Sequence, residues 1–165
     1  MSADPACLID PAYAAFLTAG VSISVGSRDA GHLPHLTRGI GCDVAGDRSR
    51  VRVFVIAEQS RELLDDIRAN RRVAVVFSQP STNRTVQLKG CDAAIESLAA
   101  ADSHIVERYR DAFTDELGAL GYNRRFVRAL LDSTAGEFVA VCFAPSGAFL
   151  QTPGPNVGTA AGDAR

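Results

Sequence analysis

The stretch Val73–Gly90, VAVVFSQPSTNRTVQLKG, restricts the choice of fold more than any other part of this chain. Val73 to Phe77 is apolar at every position, which leaves no polar side for water. A short run of that kind reads as a strand buried on both faces. Ser78–Asn83 is made of turn formers and reads as a hairpin loop. The return strand, opening at Arg84, is different. Side chains alternate along a strand, so Thr85, Gln87 and Lys89 share one face while Arg84, Val86 and Leu88 share the other. The first three form a continuous polar strip that faces either water or a ligand. Arg84 is expected to be a structural ion-pair partner.

The rest of the chain supplies more antiparallel strands. Val21, Ile23 and Val25 alternate with Ser22 and Ser24, the pattern of a half-buried strand. The turn residues of Arg28–Pro34 separate it from a second strand, His35–Val44, and AGDRSR leads into a third, Val51–Ala57. Ser60 is placed to cap a helix over Arg61–Asn70 with Leu63, Leu64 and Ile67 on one stripe. Ser97 or Asp102 opens another helix carrying Ile105, Val106, Tyr109 and Phe113, with both rings expected in the core. Asn123 caps a shorter one with Phe126, Val127, Leu130 and Leu131. Gly136–Leu150 gives one last strand or two. Within it Phe138–Phe143 is again apolar on both faces, like Val73–Phe77. Crossover helices are too few for a parallel sheet, so an antiparallel barrel with helices at its mouth or side is expected. The outer faces of the two doubly apolar strands need a cover, either a helix or a second subunit. We expect a homodimer, because obligate interfaces resemble a cut core.

Composition narrows the function classes. The 165 residues suit one domain over residues 1–158, with 159–165 as a frayed tail. A net charge of −2 gives no case for nucleic acid or an anionic membrane, so any anion site must be local. The N-terminus has no basic start or apolar core of a signal peptide, and no run reaches the ~20 apolar residues of a membrane helix. With Cys7, Cys42, Cys91 and Cys142 far apart, a cytoplasmic protein with reduced thiols is expected, Cys91 and Cys142 packing in strands. His32 and His35 lie across a turn with no third ligand in sequence, so no metal site is assigned. QTPGPN, Gln151–Asn156, is expected to be extended and rigid. No nucleophile–base pattern or carboxylate pair stands out as catalytic.

One ordered series of motifs resembles a known family. It runs from Ser60-Arg61 through a short helix to NRRVAVVF, Asn70–Phe77, then to Arg84-Thr85-Val86-Gln87 ending at Gly90. AFLQTPGPNVG, Ala148–Gly158, is similar to the end of some members. The series resembles the pyridoxamine 5′-phosphate oxidase-like superfamily of FMN-binding split β-barrels. The resemblance implies an α+β fold: a six-stranded antiparallel split barrel with about three helices, dimeric, with FMN in a groove between subunits. It also implies that Ser60, Arg61 and His35 or Arg38 hold the flavin phosphate, while Thr85, Gln87 and Lys89 line the isoalloxazine or ribityl chain. A helix start at Ser60 suits an anion on physical grounds as well.

Three departures qualify this. Glu62 stands where the family has a lysine, Ile40 or Cys42 where it has a later basic residue, and there is no tryptophan. The vitamin B6 oxidase itself is therefore not expected. Charge-assisted hydrogen bonds are worth ~1.5–3 kcal/mol each, so their loss matters to phosphate binding. Three readings follow: an FMN-dependent oxidoreductase on an unidentified small molecule, a deazaflavin- or haem-binding relative, and a cofactor-free binding or sensor dimer.

Overall fold

The computed structural model describes residues 8–132 and 137–161. Among them are four α-helices, α1 (Pro11–Leu17), α2 (Arg61–Asn70), α3 (Asp102–Ala119) and α4 (Arg124–Leu130). The strands are β1 (Ser22–Arg28), β2 (Pro34–Val44), β3 (Val51–Ile56), β4 (Val73–Ser78), β5 (Thr85–Gly90), β6 (Ala94–Glu96), β7 (Phe138–Phe143) and β8 (Pro145–Leu150). All pairings are antiparallel, in the order β6-β7-β3-β2-β1-β4-β5-β8.

Eight strands replace the expected six for a local reason. β7 and β8 are one strand bent at Ala144, just before Pro145: its first half pairs with β3 and its second with β5. Counted as one, they close the ring β1-β2-β3-β7/β8-β5-β4 into a six-stranded barrel. The three-residue β6 is an addition beside β7. The fourth helix, α1, was not anticipated. Asp10 caps it by accepting from the Tyr13 N–H at 2.7 Å, and Pro11 takes the first helical position, where its missing donor costs nothing.

Long strand β2 belongs to both halves of the barrel. Its first residues pair with β1, and after an irregularity between Gly39 and Gly41 it pairs with β3. A Cβ on Gly39 would lie 2.5 Å from Ile23 Cγ2, so only glycine lets the inner surface close there. The alternation of Ile23 and Val25, Val53 and Val55, Val75 and Phe77, Val86 and Leu88 fills the barrel interior. Helix α2 lies across the end of the barrel where β1 finishes and β2 begins, burying Leu63, Leu64 and Ile67. Each such side chain stabilises the fold by about 1.5–3 kcal/mol. Arg71, at φ 60°, ends the helix in a left-handed cap.

The two doubly apolar strands have different surroundings. Outward-facing Phe138, Ala140 and Cys142 of β7 are buried, and Phe138 meets Phe54 of β3 edge to face at 5.9 Å. Phe54 and Val106 of α3 converge on Gly41, and Arg52 of β3 binds Asp102 of α3 through two hydrogen bonds of 2.9 and 2.8 Å. Tyr109 and Phe113, stacked in the core at 5.8 Å, complete the cover, and α4 packs on α3. On β4, by contrast, outward-facing Ala74 and Val76 are only partly buried, and among the described residues no helix packs extensively on β4.

Three local expectations are corrected. Gln151–Asn156 is not extended: Gly154 (φ 149°) and Gly158 (φ 84°) permit a reversal, and the Gly158 N–H donates to the Leu150 carbonyl at 2.6 Å. Thr159–Ala161 then returns along β8, its backbone bonded to Leu150 and Ala148. Cys91 is exposed just past β5, whereas Cys142 is buried as expected; Cys7 lies outside the described residues. Arg84 makes no ion pair among the described residues. Its guanidinium lies over the rings of Phe16, at 4.3 Å, and Tyr13, because α1 places them there.

Candidate functional site

The outer surface of the five-stranded half can be read row by row from the register. One row crosses Leu36, Gly26, Ala74, Lys89 and Gly147; the next crosses Arg38, Ser24, Val76, Gln87 and Phe149. Ser22, Ser78 and Thr85 begin a third. Four of the sequence-predicted residues, Arg38, Thr85, Gln87 and Lys89, therefore share this surface, and the polar strip of β5 does point outward. Three serines, Ser22, Ser24 and Ser78, share it with the apolar Leu36, Ala74, Val76 and Phe149, and Leu36 is 74% exposed.

Where β1 turns into β2, the surface deepens into a groove of about 540 Å³. Arg28, His32, His35, Arg72 and Lys89 line it, with Ser146 and Cys91 at its β8 side and no carboxylate among the lining residues. Arg28, Arg72 and Lys89 form no ion pair among the described residues. Arg28 Nη1 donates to His32 Nδ1 at 3.0 Å, and Lys89 Nζ sits 4.8 Å from the centre of the Phe149 ring. In a chain of net charge −2, this is a local excess of positive charge.

His35 is among the lining residues, but the register sets its side chain with Ser27 on the other face of the sheet, toward α2. Its Nδ1 donates to Asp66 Oδ2 at 2.8 Å, and Ser27 Oγ donates to the same oxygen at 2.6 Å. The hydrogen bond to Asp66 holds the imidazole above its ordinary value of 6.5, reinforced by the charges of Asp66, Asp29 and Glu62 against partial desolvation. Burial pushes the Asp66 carboxyl up, but the bonds from Ser27 and His35 outweigh it and keep the group below its usual value. Asp66 was legible in part: it follows Leu63 by three and adjoins Ile67, which places a carboxylate on the buried stripe of α2.

The phosphate-binding pair expected at the start of α2 is arranged differently. Ser60 is 2% exposed; its hydroxyl donates to the Ile56 carbonyl at 2.7 Å and accepts from Thr37 Oγ1 at 2.9 Å, and it makes no capping bond. Arg61 is exposed and reaches back to Glu58 at 3.3 Å, while Asp65 pairs with Arg68. Neither Ser60 nor Arg61 lines the groove. The Thr85 hydroxyl is also engaged, donating to the Asn83 carbonyl and accepting from Ser78. Arg38 lies over the Phe113 ring at 5.9 Å. The Gln87 amide has no hydrogen-bond partner among the described residues. Arg28 and Arg72, not singled out from sequence, flank elements whose adjacency only the fold reveals. Among the described residues no cluster of histidine, cysteine and carboxylate groups is arranged for a metal.

The cations of the groove suit an anionic group, and the Gln87 amide can both donate and accept a hydrogen bond.

No family model matches this sequence, nor does any curated protein. Solved structures do match over most of the chain. HupZ of group A Streptococcus aligns with a TM-score of 0.54 at 15% identity, covering 91% of this chain and 100% of that one. A candidate pyridoxamine 5′-phosphate oxidase from Lactobacillus delbrueckii gives 0.54 at 11% identity over 86% and 94% of the two chains. An F420 reductase gives 0.53 at 12% identity over 85% and 98%. At such identities the likeness is one of fold, and with the closed six-strand ring it establishes that this chain has the split β-barrel fold of the pyridoxamine 5′-phosphate oxidase-like proteins.

Proposed function

We propose that this protein is a homodimeric FMN-binding flavoprotein that acts as an oxidoreductase on a small molecule. The observation that carries the reading is the groove lined by Arg28, Arg72 and Lys89 without a carboxylate, opening onto a sheet surface that carries the apolar Leu36, Ala74, Val76 and Phe149 beside Gln87. In this reading the three cations bind the phosphate, Gln87 binds the polar edge of the ring, and Leu36 and Val76 bed its flat part. Bound flavin supplies hydride and electron transfer; the chain's own side chains bind, orient and exclude water. A second copy covers the sheet surface, and its Arg61, exposed in the single chain, is free to reach the ligand from across the interface.

Equilibrium titration with FMN tests this. Saturable binding with quenched flavin fluorescence is expected, weakened about tenfold or more by Lys89→Gln, the size of one charge-assisted hydrogen bond. Absence of FMN uptake overturns the proposal. A deazaflavin is the second reading, favoured by Glu62 in place of a lysine and by the fold shared with an F420 reductase. Titrating FMN, a deazaflavin and haemin side by side separates the cofactors.

A further inference from the structure

A second groove, of about 470 Å³, lies between α1 and α3 and shares no lining residue with the cation-lined one. Three consecutive residues of β2, Cys42, Asp43 and Val44, border it. Side chains alternate along a strand, so three in a row reach one groove only where it runs along the edge of the strand. That edge is open. The β1–β2 ladder ends at Ser24–Arg38, and from Gly39 onward β2 pairs with β3 alone. Among the described residues no strand takes the other edge of Gly41–Val44, which leaves its outward N–H and C=O groups without a ladder.

The groove carries one charge of each sign. A Cβ built at Gly41 would meet Phe54 and Val106, so the face of β2 that Gly41 and Asp43 share is the one turned to α3. Arg52, the cross-strand neighbour of Asp43, is committed elsewhere, to Asp102 at 2.8 Å and Glu96 at 3.1 Å. On α3, Ile105, Arg108 and Ala112 recur at helical spacing and all border the groove, which sets Arg108 on that wall. Among the described residues neither Asp43 nor Arg108 makes a side-chain hydrogen bond or ion pair, with each other or with a third group. Opposite charges that share a groove without neutralising each other are the complement of a ligand charged at both ends. The α1 wall is Ala14, Ala15 and Thr18, and the Thr18 hydroxyl is turned back to the Ala14 carbonyl at 3.0 Å, so that wall adds room rather than charge.

We propose that this groove binds a short peptide with free termini, laid in extended form along the open edge of β2. The peptide backbone completes the ladder that β1 leaves. Its terminal ammonium pairs with Asp43, and its terminal carboxylate with Arg108, whose guanidinium matches a carboxylate through two parallel hydrogen bonds. The open edge spans only Gly41–Val44, which limits the ligand to about two or three residues. The volume lies in the usual range of small-molecule sites, and the alanines of the walls accept small side chains without charge selection. The site is independent of the flavin reading.

Dialanine is the probe, titrated to millimolar concentration into the intact protein and followed through the backbone amide resonances by NMR. Saturable shifts are expected at Cys42–Val44 and along Ile105–Ala112, with none around Lys89. N-acetyl-dialanine and dialanine amide, each lacking one terminal charge, should bind about tenfold more weakly, the size of one charge-assisted hydrogen bond. Asp43→Asn should weaken dialanine by a similar factor and leave N-acetyl-dialanine unchanged, while Arg108→Gln should weaken dialanine and leave dialanine amide unchanged. Dialanine that shifts none of these amides, or that binds no better than its two capped forms, overturns the proposal. So does free alanine binding as tightly as dialanine, since a single residue completes no ladder. All three are read on the unaltered protein and so survive a variant that fails to fold. FMN uptake, read at the other groove, succeeds or fails without bearing on this result.

Discussion

β4 and β7 begin alike and end in different surroundings. Each is apolar on both faces in sequence, and each fills the barrel with one set of side chains. Behind β7 the chain has built its own cover: Phe54, Phe138 and Val106 close over the sheet, and the Arg52–Asp102 pair fastens the start of α3 to β3. Behind β4 the described residues build no such cover, and Ala74 and Val76 are only partly buried, in the same rows as Leu36 and Gln87. The lesson is that a doubly apolar strand announces a need for cover without naming the cover. One helical cap belongs to the fold; over β4 the described residues supply no counterpart of that kind.

Substitutions on the two sides should differ accordingly. The largest effect belongs to the covered side: Phe54→Ala opens a cavity at a fully buried position and should cost about 3–5 kcal/mol in urea unfolding. If it costs less than about 1 kcal/mol, the helical cap is not the tightly packed layer described. Arg84→Ala removes a cation lying over the Phe16 ring at the edge between the regions, with an expected loss of about 0.5–1 kcal/mol by the same measurement. No change there would mean that α1 is docked by apolar contact alone. The smallest effect on the folded chain belongs to the open side. Val76→Lys should shift unfolding stability by no more than about 0.5 kcal/mol while abolishing self-association in sedimentation equilibrium. A variant that assembles like the unaltered protein would show that the partner sits elsewhere.

Much of this division was legible from residue spacing. The parity of Thr85, Gln87 and Lys89 placed them on the outer surface, and the alternation of β1 and the stripe of α2 placed the interior. What escaped was everything decided by non-local adjacency. Nothing near Arg84 in sequence says that α1 will put Phe16 under its guanidinium, and the resemblance placed Ser60 at a ligand, whereas the fold buries its hydroxyl against Ile56 and Thr37. Arg28 and Arg72 come from different segments that the β1–β4 pairing brings together, while the β4–β5 pairing sets Lys89 beside Ala74. Asp66 shows the middle case: its place on a buried stripe was readable, its partners Ser27 and His35 were not.

The bend at Ala144 has a consequence for the order in which the molecule can be completed. One continuous strand, interrupted only there, supplies the missing neighbour of both β3 and β5, so neither half of the barrel can be finished by residues that precede it. As the chain is synthesised, the meander of β1 to β3 and the hairpin of β4 and β5 each carry an open edge until residues 138–150 arrive. Closure is thus a single late, long-range step that satisfies two edges at once. The period before that step, rather than any feature of the finished barrel, is when this chain is most exposed to wrong strand pairing.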